Sequence, residues 1–158
     1  LRLLESGTPG AGAESLLDAH RRPQPRIDAG QHILLAGVRC AMDFSDGLVA
    51  DLGKLGRASG VGVRVEAQRV PVAPALAAQG WPDALELALS GGEDYELLFT
   101  APRRIVDHIL VEVAGAIIGE VTADDPGSVR VVDAEGAEIE IDTQGWDHLA
   151  TAANGADS

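Results

Sequence analysis

The sequence predicts a layered α/β or α+β domain, a mixed β-sheet with helices packed on it. Three observations predict it. Segments whose apolar residues alternate with period two are interleaved with segments of helical period. The stretch Ala41-Met42-Asp43-Phe44-Ser45-Asp46-Gly47-Leu48 reads as the end of a strand turning directly into a helix. The glycine pair Gly91-Gly92 precedes the most strand-like run in the chain, Tyr95 to Thr100, which the pattern places as a central strand.

Taken in order, Glu14 to His20 suits a short helix, which Arg21-Arg22-Pro23-Gln24-Pro25-Arg26 ends, because each proline biases the residue before it toward extended structure. That arginine-rich segment reads as a solvated linker. Asp28 is placed to cap a helix to about Gly37. A strand from Val38 to Phe44 follows, with Cys40 expected as a buried structural thiol. Leu48, Leu52 and Leu55 then recur at helical spacing, Asp51, Lys54 and Arg57 are expected on the opposite, solvated face, and Gly60 closes the helix. Val61, Val63 and Val65 alternate as in a strand. Pro74 suits the first turn of a short helix to Gln79, and Pro82 to Leu89 suits another. A helix is expected over Arg103 to Ala114, then short strands near Ile117–Val121, Val129–Val132 and Glu138–Ile141, the last two joined by an Asp133-Ala134-Glu135-Gly136 turn.

Composition narrows the function. With 158 residues, 46% hydrophobic and 23% charged, the chain can bury one core. No apolar run approaches the roughly 20 residues of a membrane span. A formal charge of −13 argues against nucleic acid and anionic membrane surfaces as partners. The single cysteine excludes an internal disulfide framework and fits a reducing cytoplasm. The opening Leu1-Arg2-Leu3-Leu4 reads as the middle of something, so a fragment of a longer protein is expected.

The strand-to-helix turn carries the chemistry. Ser45 and Asp46 can act as ordinary helix caps, and one of them is enough. Asp43 is then a second carboxylate that capping does not require. Two oxygen anions without Cys or His nearby suit a hard cation such as Mg²⁺, and the helix N-terminus beside them suits phosphate. Ser90-Gly91-Gly92-Glu93-Asp94-Tyr95-Glu96 is the other unusual stretch. Its glycines fit a helix stop in left-handed conformation, and equally a loop that a ligand approaches closely. Trp146 lies in a polar segment, either as an anchor of the chain end or as a platform for a planar or cationic ring. His20, His32, His108 and His148 have no metal-ligand spacing and read as surface or helix-end residues.

Asp43-Phe44-Ser45-Asp46-Gly47-Leu48, Ala58-Ser59-Gly60-Val61-Gly62 and Leu89-Ser90-Gly91-Gly92-Glu93-Asp94-Tyr95-Glu96-Leu97-Leu98-Phe99 together resemble the thiamine-monophosphate kinase family, in its C-terminal half. That family belongs to the ATP-binding superfamily of aminoimidazole ribonucleotide synthetase. The resemblance spans about residues 14 to 149 and implies transfer of the ATP γ-phosphoryl group to thiamine monophosphate. It implies Mg²⁺ on Asp43 and Asp46, ATP against Ser45, and the thiamine substrate against Glu93 and Trp146. It also implies a missing N-terminal ATP-binding domain that makes a homodimer, so that residues 1–27 form a linker and short helix, 28–150 the C-terminal α/β domain, and 151–158 a flexible tail. Phe44 stands where an aliphatic residue is commoner. The alternatives are another ATP-using enzyme of the superfamily, or a non-catalytic fragment that keeps only the fold.

Overall fold

A computed structural model describes Leu3 and residues 12–141. Its elements run α1 (Ala13–Arg21), α2 (Ile27–Leu35), β1 (Cys40–Phe44), α3 (Leu48–Ser59), β2 (Gly62–Glu66), a 3-10 turn (Ala67–Arg69), α4 (Pro74–Ala77), α5 (Ala84–Ser90), β3 (Glu96–Thr100), α6 (Arg103–Ile109), β4 (Gly119–Thr122) and β5 (Val129–Val132). The mixed α/β architecture is therefore as the patterning predicts.

Among the described residues the strands form two sheets. One is the antiparallel ribbon β1–β3, with Met42 opposite Leu98 and Asp43 opposite Leu97. The other has the order β4-β2-β5, with β2 antiparallel to β4 and parallel to β5. The central position thus falls to β2, not to the Tyr95–Thr100 run. That correction has a physical cause: local alternation reveals a strand but says nothing of which distant strand it pairs with.

Alternation does explain how the ribbon divides the interior. Leu98 faces the larger core, built from Leu48, Val49 and Leu52 of α3, Val63 and Val65 of β2, Leu89 of α5 and Val131 of β5, with Met42 and Phe44 of β1 at its margin. Leu97 and Phe99, one residue to either side, face the second core of Ile33, Val38 and Ile109. Both faces of β3 are thereby used. Two side chains at the first core, Val65 and Leu89, are fully buried.

Other boundaries move by a few residues. Val38 lies before β1 and packs into the second core. Helix α6 stops at Ile109, with Val111 exposed. Glu138–Ile141 forms no strand; it touches β5 through one bridge, Val132 to Glu138, and the Ile139 N–H donates to Val131 O at 2.8 Å. Cys40 is half-buried, its Sγ 3.9 Å from Ser59 Oγ. The arginine-rich segment is not simply solvated, because Arg26 forks onto Glu96 at the head of β3, with N···O distances of 2.8 and 2.5 Å.

Candidate functional site

The turn from β1 into α3 is built around a residue that sequence patterning misplaces. Asp51, in the first turn of α3, is only 2% exposed, not on the solvated face. Its Oδ2 accepts the backbone N–H of Ser45 at 2.8 Å and of Asp46 at 3.0 Å. Its Oδ1 accepts Lys54 Nζ at 2.6 Å. The helix has no side-chain cap, and neither Ser45 nor Asp46 serves as one; the residue before its first turn is Gly47, with φ 114°. The reason is geometric. The turn leaves the N–H groups of residues 45 and 46 without a strand partner, and a carboxylate one helical turn ahead reaches back to both. Three residues of helix rotate Asp51 to within about 60° of Leu48, so it stands at the edge of the apolar stripe, where burial is accessible. An acidic residue in the first helical turn, with a lysine three positions on, was the available signal.

The side chains of Ser45 and Asp46 make other contacts. Ser45 Oγ donates to Asp46 Oδ1 at 3.0 Å, and Asp46 Oδ2 accepts Lys54 Nζ. Asp46 thus sits in a chain of hydrogen bonds linking Ser45, Lys54 and Asp51. Lys54 is half-exposed, and its pKa is raised by its bonds to Asp46 first and Asp51 second. Asp43 is exposed, at the penultimate position of β1.

The second motif stretch docks on this turn. Glu93 N–H donates to Ser45 O at 2.7 Å, and Tyr95 N–H donates to Phe44 O at 3.0 Å. A Cβ on Gly47 would come within 2.6 Å of Ser90 O, and one on Gly92 within 2.7 Å of Ser45 O. Neither Gly91 nor Gly92 is left-handed, so of the two readings the left-handed stop does not hold; Gly91 ends α5 in extended conformation, and a Cβ on it would meet Leu87 O. The pair is required for close approach of two backbones. The left-handed residues are instead Glu93 (φ 72°) and Tyr95 (φ 53°), two non-glycine residues in a strained region within three positions. Each costs on the order of 1 to 3 kcal/mol, and the two hydrogen bonds to the first turn hold them there. Glu93 is exposed, with His20 Nδ1 of α1 3.6 Å from its Oε2, so the helix-end histidine of the sequence reading lies at the site.

Asp94 sits between the strained residues. Asp94 is exposed as a residue, but partial burial of its carboxyl, with the neighbouring Glu96 charge second, pushes its pKa from 3.8 up to about 6. Arg26 shares Glu96 and limits the negative charge at this end of β3.

The structure brings the Glu93 backbone onto Ser45, next to Asp46, and leaves Asp43 exposed on β1, two residues before Ser45; Trp146 lies outside the described residues. Among the described residues no group of three or more acidic, histidine or cysteine side chains forms a ready metal cage. The donor set nevertheless fits Mg²⁺: it consists of carboxylate and hydroxyl oxygens, and Mg²⁺ is held by one or two protein carboxylates with water and phosphate completing its shell. The Asp46 carboxylate already attracts a cationic group, the Lys54 ammonium. A groove of about 570 Å³, lined by Val49, Val129, Val131 and Ile139 together with Glu86, Glu138 and Glu140, lies apart from these residues. No helix among the described residues is long and apolar enough to cross a membrane.

Residues 3–132 match the family profile of AIR synthase related protein, C-terminal domain. The thiamine-monophosphate kinase of Escherichia coli strain K12 is 42% identical over 145 residues, 88% of this chain and 44% of the kinase. Among solved structures, AaThiL complexed with AMPPCP and TMP superposes with a TM-score of 0.76 at 33% identity, over 93% of this chain and 45% of its own. The thiamine-monophosphate kinase from Stenotrophomonas maltophilia K279a gives 0.71 at 36% identity, over 82% and 44%. The chain therefore spans less than half the length of these relatives.

Two outcomes follow from the geometry. Replacing Asp51 by alanine leaves two backbone donors without their acceptor and lowers stability by about 2–4 kcal/mol, read from urea denaturation. The Asp94 carboxyl, raised in the folded state, favours folding below its unfolded value near 4, and that contribution is lost as pH rises through about 6. The wild type therefore loses stability relative to Asp94→Asn between pH 4 and pH 7, modestly, because solvent screens an exposed residue; denaturation curves across that range measure the difference.

Proposed function

Because the chain belongs to the family of AIR synthase related C-terminal domains, we propose that it is the C-terminal half of a thiamine-monophosphate kinase. The complete enzyme transfers the γ-phosphoryl group of ATP to the phosphate of thiamine monophosphate and releases thiamine diphosphate and ADP. The observation that carries this reading is the docking of the Ser90–Tyr95 turn onto the Phe44–Gly47 turn, which joins the two stretches that resemble the kinase family into one cradle.

In this reading each residue has a defined task. Asp43 and Asp46 hold Mg²⁺ at the mouth of the cradle. When bound, the cation neutralises charge on the phosphate oxygens. Ser45 contacts ATP through a hydroxyl that already lies beside Asp46. Glu93, fixed in a left-handed turn, presents its carboxylate to the thiamine end of the substrate, where the thiazolium is cationic. Trp146 supplies an aromatic face for the thiamine rings. Phosphoryl transfer between two phosphates needs positioning and charge neutralisation more than a protein nucleophile, and the chain offers carboxylates and a hydroxyl accordingly. The remaining nucleotide contacts come from an N-terminal domain, through which the complete protein forms a homodimer, and the reaction is cytoplasmic.

The test is thiamine diphosphate formation by the full-length protein with ATP, Mg²⁺ and thiamine monophosphate. Asp43→Asn and Asp46→Asn each lower turnover at least about 100-fold while melting stays close to wild type, since Asp43 is exposed on β1 and Asp46 is partly exposed at the turn. Loss of activity in proportion to loss of melting temperature would return both residues to a structural role.

A further inference from the structure

The charge balance at Asp46 singles out Lys54, a residue to which the proposed function gives no role. Its ammonium is bonded to Asp46 Oδ2 and lies 2.6 Å from Asp51 Oδ1. One partner is buried and structural; the other is the carboxylate on which the proposed reading places the cation. The lysine is on α3, two turns beyond Asp46, so its flexible four-carbon stem spans the turn from a fixed base. Its side chain is 49% exposed, and Asp46 is 38% exposed, so the Lys54–Asp46 contact can open to water at small cost. Asp51 Oδ1, a separate atom from the Oδ2 that holds the turn, gives the lysine a second partner at 2.6 Å.

We propose that Lys54 is a tethered counterion, which satisfies the Asp46 carboxylate in the cation's absence and competes with the divalent cation for it. The inference rests on the reading of Asp46 as a metal ligand. The ammonium and Mg²⁺ repel each other when both stand at the Asp46 carboxylate, so part of the cation's binding free energy goes into displacing the lysine charge. Removing the lysine's charge therefore strengthens cation binding. A purely structural lysine, clamping Asp46 into a ligating position, has the opposite effect.

Cation affinity of the full-length protein separates these, read as Mn²⁺ binding by electron paramagnetic resonance with Mg²⁺ measured by competition. Lys54→Met keeps the apolar stem and removes the charge; it tightens Mg²⁺ by about 2- to 5-fold, as expected from an exposed ion pair. Lys54→Arg keeps the charge and stays within about 2-fold of wild type, which guards against misfolding of the methionine variant. Arg57→Met, one turn further along α3, controls for the general field and changes affinity by less than Lys54→Met. Unchanged or weaker binding in Lys54→Met, or equal tightening in Arg57→Met, overturns the proposal while Asp46→Asn still weakens Mg²⁺. If Asp46→Asn leaves Mg²⁺ binding untouched, the metal reading fails and the counterion role with it.

Discussion

A single buried carboxylate is the constraint on which the site depends. Asp51 accepts two successive backbone N–H groups and an ammonium, so it fixes the path of the chain between β1 and α3. Once that path is fixed, the carbonyl groups of Phe44 and Ser45 face outward, and these receive the N–H groups of Tyr95 and Glu93. The second turn is thereby templated on the first. The glycines at 47 and 92 follow from this closeness, since a side chain at either would enter the opposite backbone. Burying a charge is unfavourable unless its lone pairs are filled. Here the three donors that fill them are also those that shape the cradle.

The same arrangement concentrates strain and negative charge at one edge. Two residues in the left-handed region flank an aspartate whose carboxyl resists ionisation, and all three lie on the turn that docks on the first. Residues held in costly backbone conformations persist where the surrounding structure over-determines them. That over-determination comes from the ribbon below, whose β3 strand is anchored on both faces by Leu98 on one side and Leu97 and Phe99 on the other. In an acidic chain of formal charge −13, Lys54 supplies a cation to the carboxylates of the first turn from within the structure.

Much of this was legible in the residues. The strand, turn and helix around Asp43–Leu48 follow from a switch of period, and the glycine pair marks the second turn. What escaped was non-local. Asp51 looks like one member of a charged face with Lys54 and Arg57, because helical periodicity counts side chains and does not count the backbone donors of the preceding turn. The pairing of β3 with β1 alone, among the described residues, is set by a partner more than fifty positions away. Ile139 and Ile141 alternate as a strand would, yet only one bridge forms there. His20 reached Glu93 through the packing of α1 beside α4, where Gly12 lies against Ala75, and nothing near His20 in the sequence announces it.

One carboxylate sets both turns. Amide hydrogen exchange in the full-length protein tests it most directly, comparing wild type with Asp51→Ala under conditions where both are folded. Ser45 and Asp46 lose their acceptor in the variant, so Glu93 and Tyr95 are the informative amides. Protection at Glu93 and Tyr95 is expected to fall together with that at Ser45 and Asp46, while Val65 in the core keeps its local protection. Wild-type protection at Glu93 and Tyr95 in the variant would contradict it, and would show that the second turn holds its shape independently.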